Sequence, residues 1–196
     1  MNQARLKKKL SFIESVENLK STIRTGRSAT GRQESTAEHT WRLALMAMVY
    51  AEELEGVDPH RLLKMCIIHD LGETLHGDVS AIEKATRPEQ GARERVDLLQ
   101  LLSHLDAASA ADILDLYDEY EAGQTQEARA TKATKALDKL ETILQHTQGC
   151  DQQAVDFSFN LRYGRAYTDH FPALNYVRSL VDEQTLKVID ATARTR

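Results

Sequence analysis

The chain has 196 residues, of which 41% are hydrophobic and 28% are charged, and its formal net charge is −5 at pH 7. This is the composition of an ordinary globular domain, and it excludes collagen-like and disordered chains. The acidic balance argues against a dedicated nucleic-acid-binding domain, because such domains are usually basic. With only 9 Gly and 3 Pro, the chain is poor in turn residues, which disfavours β-sandwiches and barrels and favours long helices.

Apolar spacing and capping residues predict three helices in the N-terminal part of the chain. Apolar residues three to four apart predict the first helix over residues 6–16. Residues 22–34 follow as a loop. The capping box Ser-Thr-Ala-Glu opens a second helix over 35–55, and an Asp-Pro pair, with proline at the first helical position, opens a third over 58–71.

The pattern of the remaining sequence predicts further helices and no strand. These helices span residues 88–102, 112–121 and 125–146, and the last begins at Pro172. Trp41, in the second helix, is expected to face the core. The predicted fold class is therefore all-α, an irregular bundle of about seven helices.

The cysteines and the N-terminal residues indicate in which cellular compartment the protein is expected. Cys66 lies in an apolar run and is expected to be a buried thiol, and no CxxC motif accompanies Cys150. Residues 1–12 are positively charged but lack the apolar segment of a signal peptide. No run of about eighteen apolar residues is present that would span a membrane. We therefore predict a cytoplasmic protein with neither a membrane nor a nucleic-acid partner.

Four residues in the predicted helices could together bind one metal ion: His39, His69, Asp70 and Asp138. Each alone has an ordinary explanation, such as a solvated helix end or an ion pair with Lys135. Together, two imidazoles and two carboxylates on facing helices can converge on a divalent ion. This ligand set suits Mn, Co, Fe, Ni or Zn better than Ca, with Mg also possible. Positions left free on the ion can take water and a phosphate oxygen.

The order and spacing of these motifs resemble a known family. The strings AEHTW, then HDLGE followed by GD, then ALDKLE, resemble those of the HD-domain metal-dependent phosphohydrolases, and within them the 5′-deoxynucleotidase branch. The resemblance covers residues 19–144. It implies a single HD-type helical domain over residues 1–196, with a motif core at about 19–144 and a helical extension over 150–196. It also implies a homodimer, and His39, His69, Asp70 and Asp138 as the metal ligands.

Glu73 is the candidate proton acceptor. It follows His69 by four residues and Asp70 by three, so a continued helix would put all three on one side. The resemblance implies that this glutamate handles the proton of the attacking water, which agrees with the lowered pKa of water on a metal ion. The alternative is a solvated glutamate beyond a helix that breaks at Gly72.

The resemblance also implies substrate contacts. It assigns Asp78, in a Gly-Asp turn, to a sugar hydroxyl of the substrate, which would favour deoxyribose. Arg24 matches the arginine on the phosphate side, where a planar guanidinium suits a phosphate. Arg27, Arg32 and Lys135 are further candidates for that role. In bacterial nucleotidases of this branch an aromatic residue follows the arginine, whereas Thr25 follows it here.

The sequence therefore predicts an enzyme that removes the 5′-phosphate of (deoxy)ribonucleoside monophosphates. One alternative is an HD hydrolase acting on another nucleotide, such as an alarmone, a nucleoside triphosphate or a cyclic phosphodiester. The other is a helical scaffold that binds a metal or ligand without catalysis.

Overall fold

The computed structural model describes residues 1–84, 86–123, 128–150 and 155–194. Its helices are α1 (Gln3–Val16), α2 (Thr36–Val49), α3 (Pro59–Ile68), α4 (Ala81–Lys84), α5 (Gln90–Leu102), α6 (Ala107–Ala122), α7 (Arg129–Gln148), α8 (Phe157–Asn160), α9 (Arg165–Thr168) and α10 (Pro172–Arg194). Its strands are β1 (Ile23–Arg27) and β2 (Gln33–Ser35). Short 3₁₀ turns lie at Glu17–Lys20, Ala51–Glu53 and Leu71–Thr74. The predicted helical-bundle fold class is confirmed.

The two strands contradict the prediction of a loop over residues 22–34. They pair antiparallel, with Ile23 opposite Ser35 and Arg27 opposite Gln33. Only Gly26 of β1 is buried, so the strand lacks the alternation of apolar residues by which a strand is recognised in a sequence. The side chain of Arg27 donates to the carbonyl of Gly31 and braces the hairpin.

The predicted helix starts are confirmed where capping residues marked them. The Ser35 hydroxyl accepts from the Glu38 backbone N–H, and the Glu38 carboxylate accepts from the Ser35 backbone N–H. The Asp58 side chain caps α3 ahead of Pro59. Both helices end before their predicted ends, at Val49 and Ile68. The helix predicted over 125–146 spans Arg129–Gln148, and residues 124–127 lie outside the described chain.

The orientation of α2 corrects the prediction for Trp41, which is 66% exposed. The buried face of α2 is formed by His39, Leu43 and Ala47, which are spaced by four residues. Trp41 is two residues from His39, about 200° around the helix, and so points away from the core.

Two apolar clusters build the interior. The first joins α2, α3, α7 and α10, through residues that include Leu43, Leu62, Leu137, Leu140 and Leu174. The second joins α1, α3, α5 and α6, through residues that include Phe12, Ile68, Leu98, Leu101 and Tyr117.

The C-terminal end of α3 connects the two clusters. Cys66 belongs to the first cluster, and Ile68 and Leu71 belong to the second. His69 and Asp70 therefore lie at the boundary between the two clusters. Cys66 is buried with a free thiol, as predicted, and Cys150 is exposed. Among the described helices, none combines the length and apolar character needed to span a membrane.

Candidate metal centre

His39 lies in the first turns of α2 and is fully buried. Its Nδ1 donates to the carboxylate of Glu141, which α7 brings alongside. This contact leaves Nε2 as the ring atom that faces the other candidate ligands. That atom is 3.3 Å from Asp138 Oδ1 and 3.8 Å from Asp70 Oδ2.

His69 is held in the same manner at the end of α3. Its Nδ1 donates to the backbone carbonyl of Cys66 over 2.9 Å, and its Nε2 is 3.1 Å from Asp70 Oδ1. The ring centroids of His69 and His39 are 5.6 Å apart. In both imidazoles a hydrogen bond at Nδ1 fixes the ring orientation and directs Nε2 into the cluster, as is usual for metal-binding histidines.

The side chains present fit a divalent metal ion. Within the described chain, Nε2 of His39 and Nε2 of His69 are buried and have no hydrogen-bond partner. A buried polar atom without a partner is costly, and coordination to an ion would remove that cost. One ligand atom each of His39, His69 and Asp70 lies within 4.8 Å of the others, and Asp138 reaches His39 from α7. Two imidazoles with two carboxylates suit a transition-metal ion.

The charges of the cluster favour ionised carboxylates. Burial opposes ionisation of Asp138, but Lys139 and His39 outweigh it and hold its pKa well below its usual range. Asp70 is likewise held at a low pKa against burial, chiefly by His69. Burial lowers the pKa of His39, but the carboxylates around it outweigh that effect and raise it to about 10. Binding of a metal ion must therefore displace a proton from this imidazole.

Glu73 lies close to these ligands, although the helical geometry on which its prediction was based is wrong. The α-helix ends at Ile68, and Glu73 stands in the 3₁₀ turn Leu71–Thr74 rather than on a continued helix. Glu73 is nonetheless buried. Its carboxylate accepts from the Thr36 hydroxyl over 3.2 Å and from Lys84 Nζ over 3.4 Å.

The surroundings of Glu73 favour its protonated form. Burial raises its pKa well above the usual value, and the negative charges of Asp70 and Asp78 raise it further. The positive charge of Lys84 acts in the opposite direction. Lys84 also pairs with Glu94 over 2.9 Å, so it links α4 to α5 beside Glu73.

Arg24 connects the metal candidates to Asp78. It lies on β1 and is 14% exposed; its NH1 is 3.5 Å from Asp70 Oδ2 and 3.9 Å from Asp78 Oδ1. Its NH2 donates to the Thr142 hydroxyl over 3.2 Å. Burial lowers the pKa of Arg24, but the neighbouring carboxylates outweigh burial and raise it, so the guanidinium stays charged.

The other predicted cations divide into two groups. Lys135 lines the cavity, with its Nζ 4.8 Å from the centroid of the Tyr120 ring. Arg27 braces the hairpin. Arg32 pairs with Glu38 on the surface, so these two arginines are engaged away from the cluster.

Several charged residues at the site were not identified from the sequence. Glu141 is fully buried between His39 and Arg42, whose Nε donates to it over 2.5 Å. Glu141 follows Asp138 by three residues, so both lie on one face of α7. Helical periodicity could therefore have identified Glu141 from the sequence. Lys84, in contrast, lies in a short helix without a distinctive pattern, and only packing brings it to Glu73.

Three of the four candidate ligands, His69, Asp70 and Asp138, line a cavity of about 460 Å³, whereas His39 is fully buried. This volume lies within the usual range for small-molecule sites. Arg24, Glu73 and Asp78 line the same cavity as His69, Asp70 and Asp138. The cavity therefore combines one imidazole of the cluster with several carboxylates and buried cations, and cluster and cavity together can bind a metal ion and an anionic ligand.

Fold and site together define a helical-bundle domain with a buried His-His-Asp-Asp cluster. A family model described as HD domain matches residues 16–175. The chain therefore belongs to the HD domain family.

Individual relatives match over a smaller part of the chain. A 5′-deoxynucleotidase of Dictyostelium discoideum is 33% identical, over 49% of this chain and 55% of the relative. One of Schizosaccharomyces pombe is 32% identical, over 54% of this chain and 53% of the relative. The chain thus spans about half the length of the curated relatives it matches.

Solved structures match over nearly the whole chain. One described as a "predicted metal-dependent phosphohydrolase", from Magnetospirillum magnetotacticum, aligns with a TM-score of 0.79 and 25% identity, covering 94% of this chain and 96% of the other. A protein from Pyrococcus horikoshii aligns with a TM-score of 0.62 and 23% identity, covering 89% and 99%. At 23% identity, the match to the Pyrococcus horikoshii protein shows similarity of fold alone.

Proposed function

We propose that this protein is a divalent-metal-dependent hydrolase that removes the 5′-phosphate of nucleoside monophosphates. The observation that carries this proposal is the pair of buried Nε2 atoms of His39 and His69, which find no hydrogen-bond partner among the described residues and are directed at the carboxylates of Asp70 and Asp138. The similarity to 5′-deoxynucleotidases supports the choice of substrate.

His39, His69, Asp70 and Asp138 would hold the ion, a transition metal such as Mn, Co, Fe, Ni or Zn. A bound divalent ion supplies positive charge to a phosphoryl oxygen and lowers the pKa of water.

Arg24 would bind the phosphate. Its guanidinium lies between Asp70 and Asp78, so a phosphate held there has the candidate ligands on one side and Asp78 on the other. Lys135 adds a second positive charge on the cavity wall. A dianionic phosphate requires such positively charged side chains in addition to one metal ion.

Glu73 would accept the proton of the attacking water at its carboxylate. Burial and neighbouring carboxylates raise its pKa and so favour the protonated form. The positive charges of Lys84 and of a bound divalent ion would favour the ionised form, which is the one that accepts a proton. The hydroxyl of Thr36 orients the second carboxylate oxygen. Proton transfer to such a group contributes about 10²–10⁴-fold to a rate.

The experiment that tests this function is a phosphate-release panel on metal-loaded protein. Release of inorganic phosphate from dAMP, dGMP, dCMP and dTMP is the expected result, and His39→Ala should lose both the ion and the activity while remaining helical. Hydrolysis of guanosine tetraphosphate, dGTP or a cyclic nucleotide instead would assign the site to another HD reaction. Hydrolysis of none of these would identify a non-catalytic binding domain and contradict the proposal.

Asp78 would set the preference for the sugar. A buried carboxylate forms a favourable hydrogen bond with a correctly placed 3′-OH. A 2′-OH that is buried without a partner instead weakens binding by about 1–3 kcal/mol. We expect dAMP to be hydrolysed roughly ten- to a hundredfold faster than AMP, measured as kcat/KM, and the ratio to shrink in Asp78→Ala. Equal values for dAMP and AMP in the wild type would contradict the deoxy preference, and a preference that survives in Asp78→Ala would exclude Asp78 from that role.

The active form would be a homodimer in the cytoplasm. One face of α2 carries Trp41, Leu45, Met48 and Val49, which are 66%, 44%, 65% and 63% exposed. Exposed apolar residues that share one helix face are typical of protein–protein interfaces. This face supports self-association through α2.

A further inference from the structure

One wall of the cavity is aromatic. It is formed by α8, α9 and the residues beside them, which contribute Val155, Asp156, Phe159, Asn160, Tyr163 and Tyr167 to the lining. The rings of Phe159 and Tyr163 pack together, with centroids 5.1 Å apart and planes inclined by 31°. This wall therefore offers aromatic surface in a cavity that is otherwise lined by many charged residues, such as Arg24, Asp70 and Lys135.

Buried polar contacts fix the wall in place. Arg178 of α10, itself fully buried, donates to the backbone carbonyls of Asn160 and Tyr163. Its Nε donates to Asp182 over 2.7 Å. Gly164 has a positive φ of 74° and lies so close to α7 that a Cβ there would be 2.4 Å from Cβ of Lys139. The aromatic surface is thus held before any ligand arrives, which lowers the entropic cost of binding one.

Lys139 connects the aromatic wall to a candidate metal ligand. Lys139 Nζ is 2.5 Å from Asp138 Oδ2 and 5.3 Å from the centroid of the Tyr163 ring. Lys135 lies over the ring of Tyr167, 6.0 Å from its centroid. The cavity therefore joins carboxylates and cations at Asp138 to an aromatic surface, a combination that suits the phosphate and the base of a nucleotide.

We propose that Phe159, supported by Tyr163, is the surface on which the base of a nucleoside monophosphate stacks. The inference rests on the proposed function, because it assigns the base end of the same cavity. Thr25, which follows Arg24 and also lines the cavity, has no ring to serve this purpose. Stacking on an aromatic ring depends little on which base is bound, so the site accepts several bases with similar affinity.

Binding of a base-containing and a base-free ligand tests this assignment. We would compare dAMP with deoxyribose 5-phosphate by calorimetry, using Mn²⁺-loaded full-length protein in a Glu73→Gln background to suppress turnover. Phe159→Leu is expected to weaken dAMP binding roughly tenfold to a hundredfold, the usual effect of losing one stacked base. It should leave deoxyribose 5-phosphate unchanged. Phe159→Tyr, which keeps the ring, should retain tight binding of dAMP.

The same helix supplies a matched control. Phe157 also belongs to α8, but it is not among the described residues that line the cavity, so Phe157→Leu should leave both ligands unaffected. Ile82 lines another part of the cavity and is 49% exposed. If Ile82→Ala weakens dAMP binding and Phe159→Leu does not, the base lies away from the aromatic wall and the proposal is wrong.

Three further outcomes separate this proposal from the proposed function. If Phe159→Leu weakens both ligands equally, the wall has a structural role only, and the base site is overturned. If wild-type protein binds dAMP no better than deoxyribose 5-phosphate, the base site is overturned whether or not phosphate is released. If wild-type protein releases no phosphate but Phe159→Leu selectively weakens dAMP, the hydrolase function fails while the stacking surface stands.

Discussion

The carboxylate of Glu73 is placed by contacts with residues on two other elements, Thr36 of α2 and Lys84 of α4. Neither partner is a candidate metal ligand. Removal of the carboxylate should therefore affect the proton transfer and leave the metal cluster intact.

We expect Glu73→Gln to lower kcat about 10²–10⁴-fold, the usual cost of losing a general base, while metal content and nucleotide affinity stay at wild-type values. Steady-state kinetics, elemental analysis and calorimetry measure the three quantities. A variant with wild-type kcat would show that another group takes the proton.

Glu141 acts on the cluster through His39. Its carboxylate accepts the Nδ1 proton of His39, and Arg42 holds it from the other side. Burial opposes ionisation of Glu141, but His39 and Arg42 outweigh it and keep its pKa low. A charged carboxylate behind an imidazole fixes the tautomer and makes Nε2 a better metal ligand.

The substitution Glu141→Gln keeps the shape of this side chain and removes its charge. We expect metal affinity to fall about 10–100-fold, as measured by competition with a chelator. Glu183→Gln, on the exposed side of α10, is the control that should bind metal normally. An unchanged metal Kd in Glu141→Gln would mean that His39 is oriented by packing alone.

At the scale of elements, the 3₁₀ turn Leu71–Thr74 packs tightly on α5. A Cβ at Gly72 would lie 2.6 Å from the backbone carbonyl oxygen of Glu94. Glycine allows the turn to approach α5 this closely, and the approach places Glu73 beside Lys84.

Gly72→Ala should therefore displace the turn. We expect a loss of about 1–3 kcal/mol in the free energy of unfolding, typical of overpacking, together with a fall in kcat. Gly91→Ala is the matched control, because its Cβ would be 3.8 Å from the nearest side-chain atom and alanine has a higher helix propensity than glycine. Denaturant unfolding of both variants checks this prediction, and equal stabilities would argue against tight packing at Gly72.

At the scale of the whole molecule, the exposed apolar face of α2 bears on assembly. Its inner face contributes His39 to the cluster, so a partner that covered the outer face would stabilise the helix that carries a candidate ligand.

We expect the protein to sediment as a dimer, and Met48→Glu to shift it to a monomer that remains helical, because a charge buried in an apolar interface is costly. Analytical ultracentrifugation measures the change. Tyr176→Glu, on an exposed position of α10, is the control and should remain dimeric. If Tyr176→Glu dissociates and Met48→Glu does not, the interface lies on α10 instead.

The sequence by itself determined the helical class, the starts of α2 and α3, and the set of residues that could form the cluster. These features are local. The caps at Ser35 and Asp58 satisfy backbone groups within the first turns of their own helices, and His69 and Asp70 come directly after α3 in the sequence. The roles of the individual site residues, and the division into a motif core and a C-terminal extension, stay predictions.

Only the tertiary structure decided the rest. The hairpin that presents Arg24 has a polar sequence, and it is placed by contacts such as the one to Thr142, 118 residues away. The outward direction of Trp41, the pairing of Glu141 with His39 and the approach of Lys84 to Glu73 likewise depend on how the helices pack. Such contacts join positions far apart in the chain, and periodicity along one helix carries no information about which distant side chain will face it.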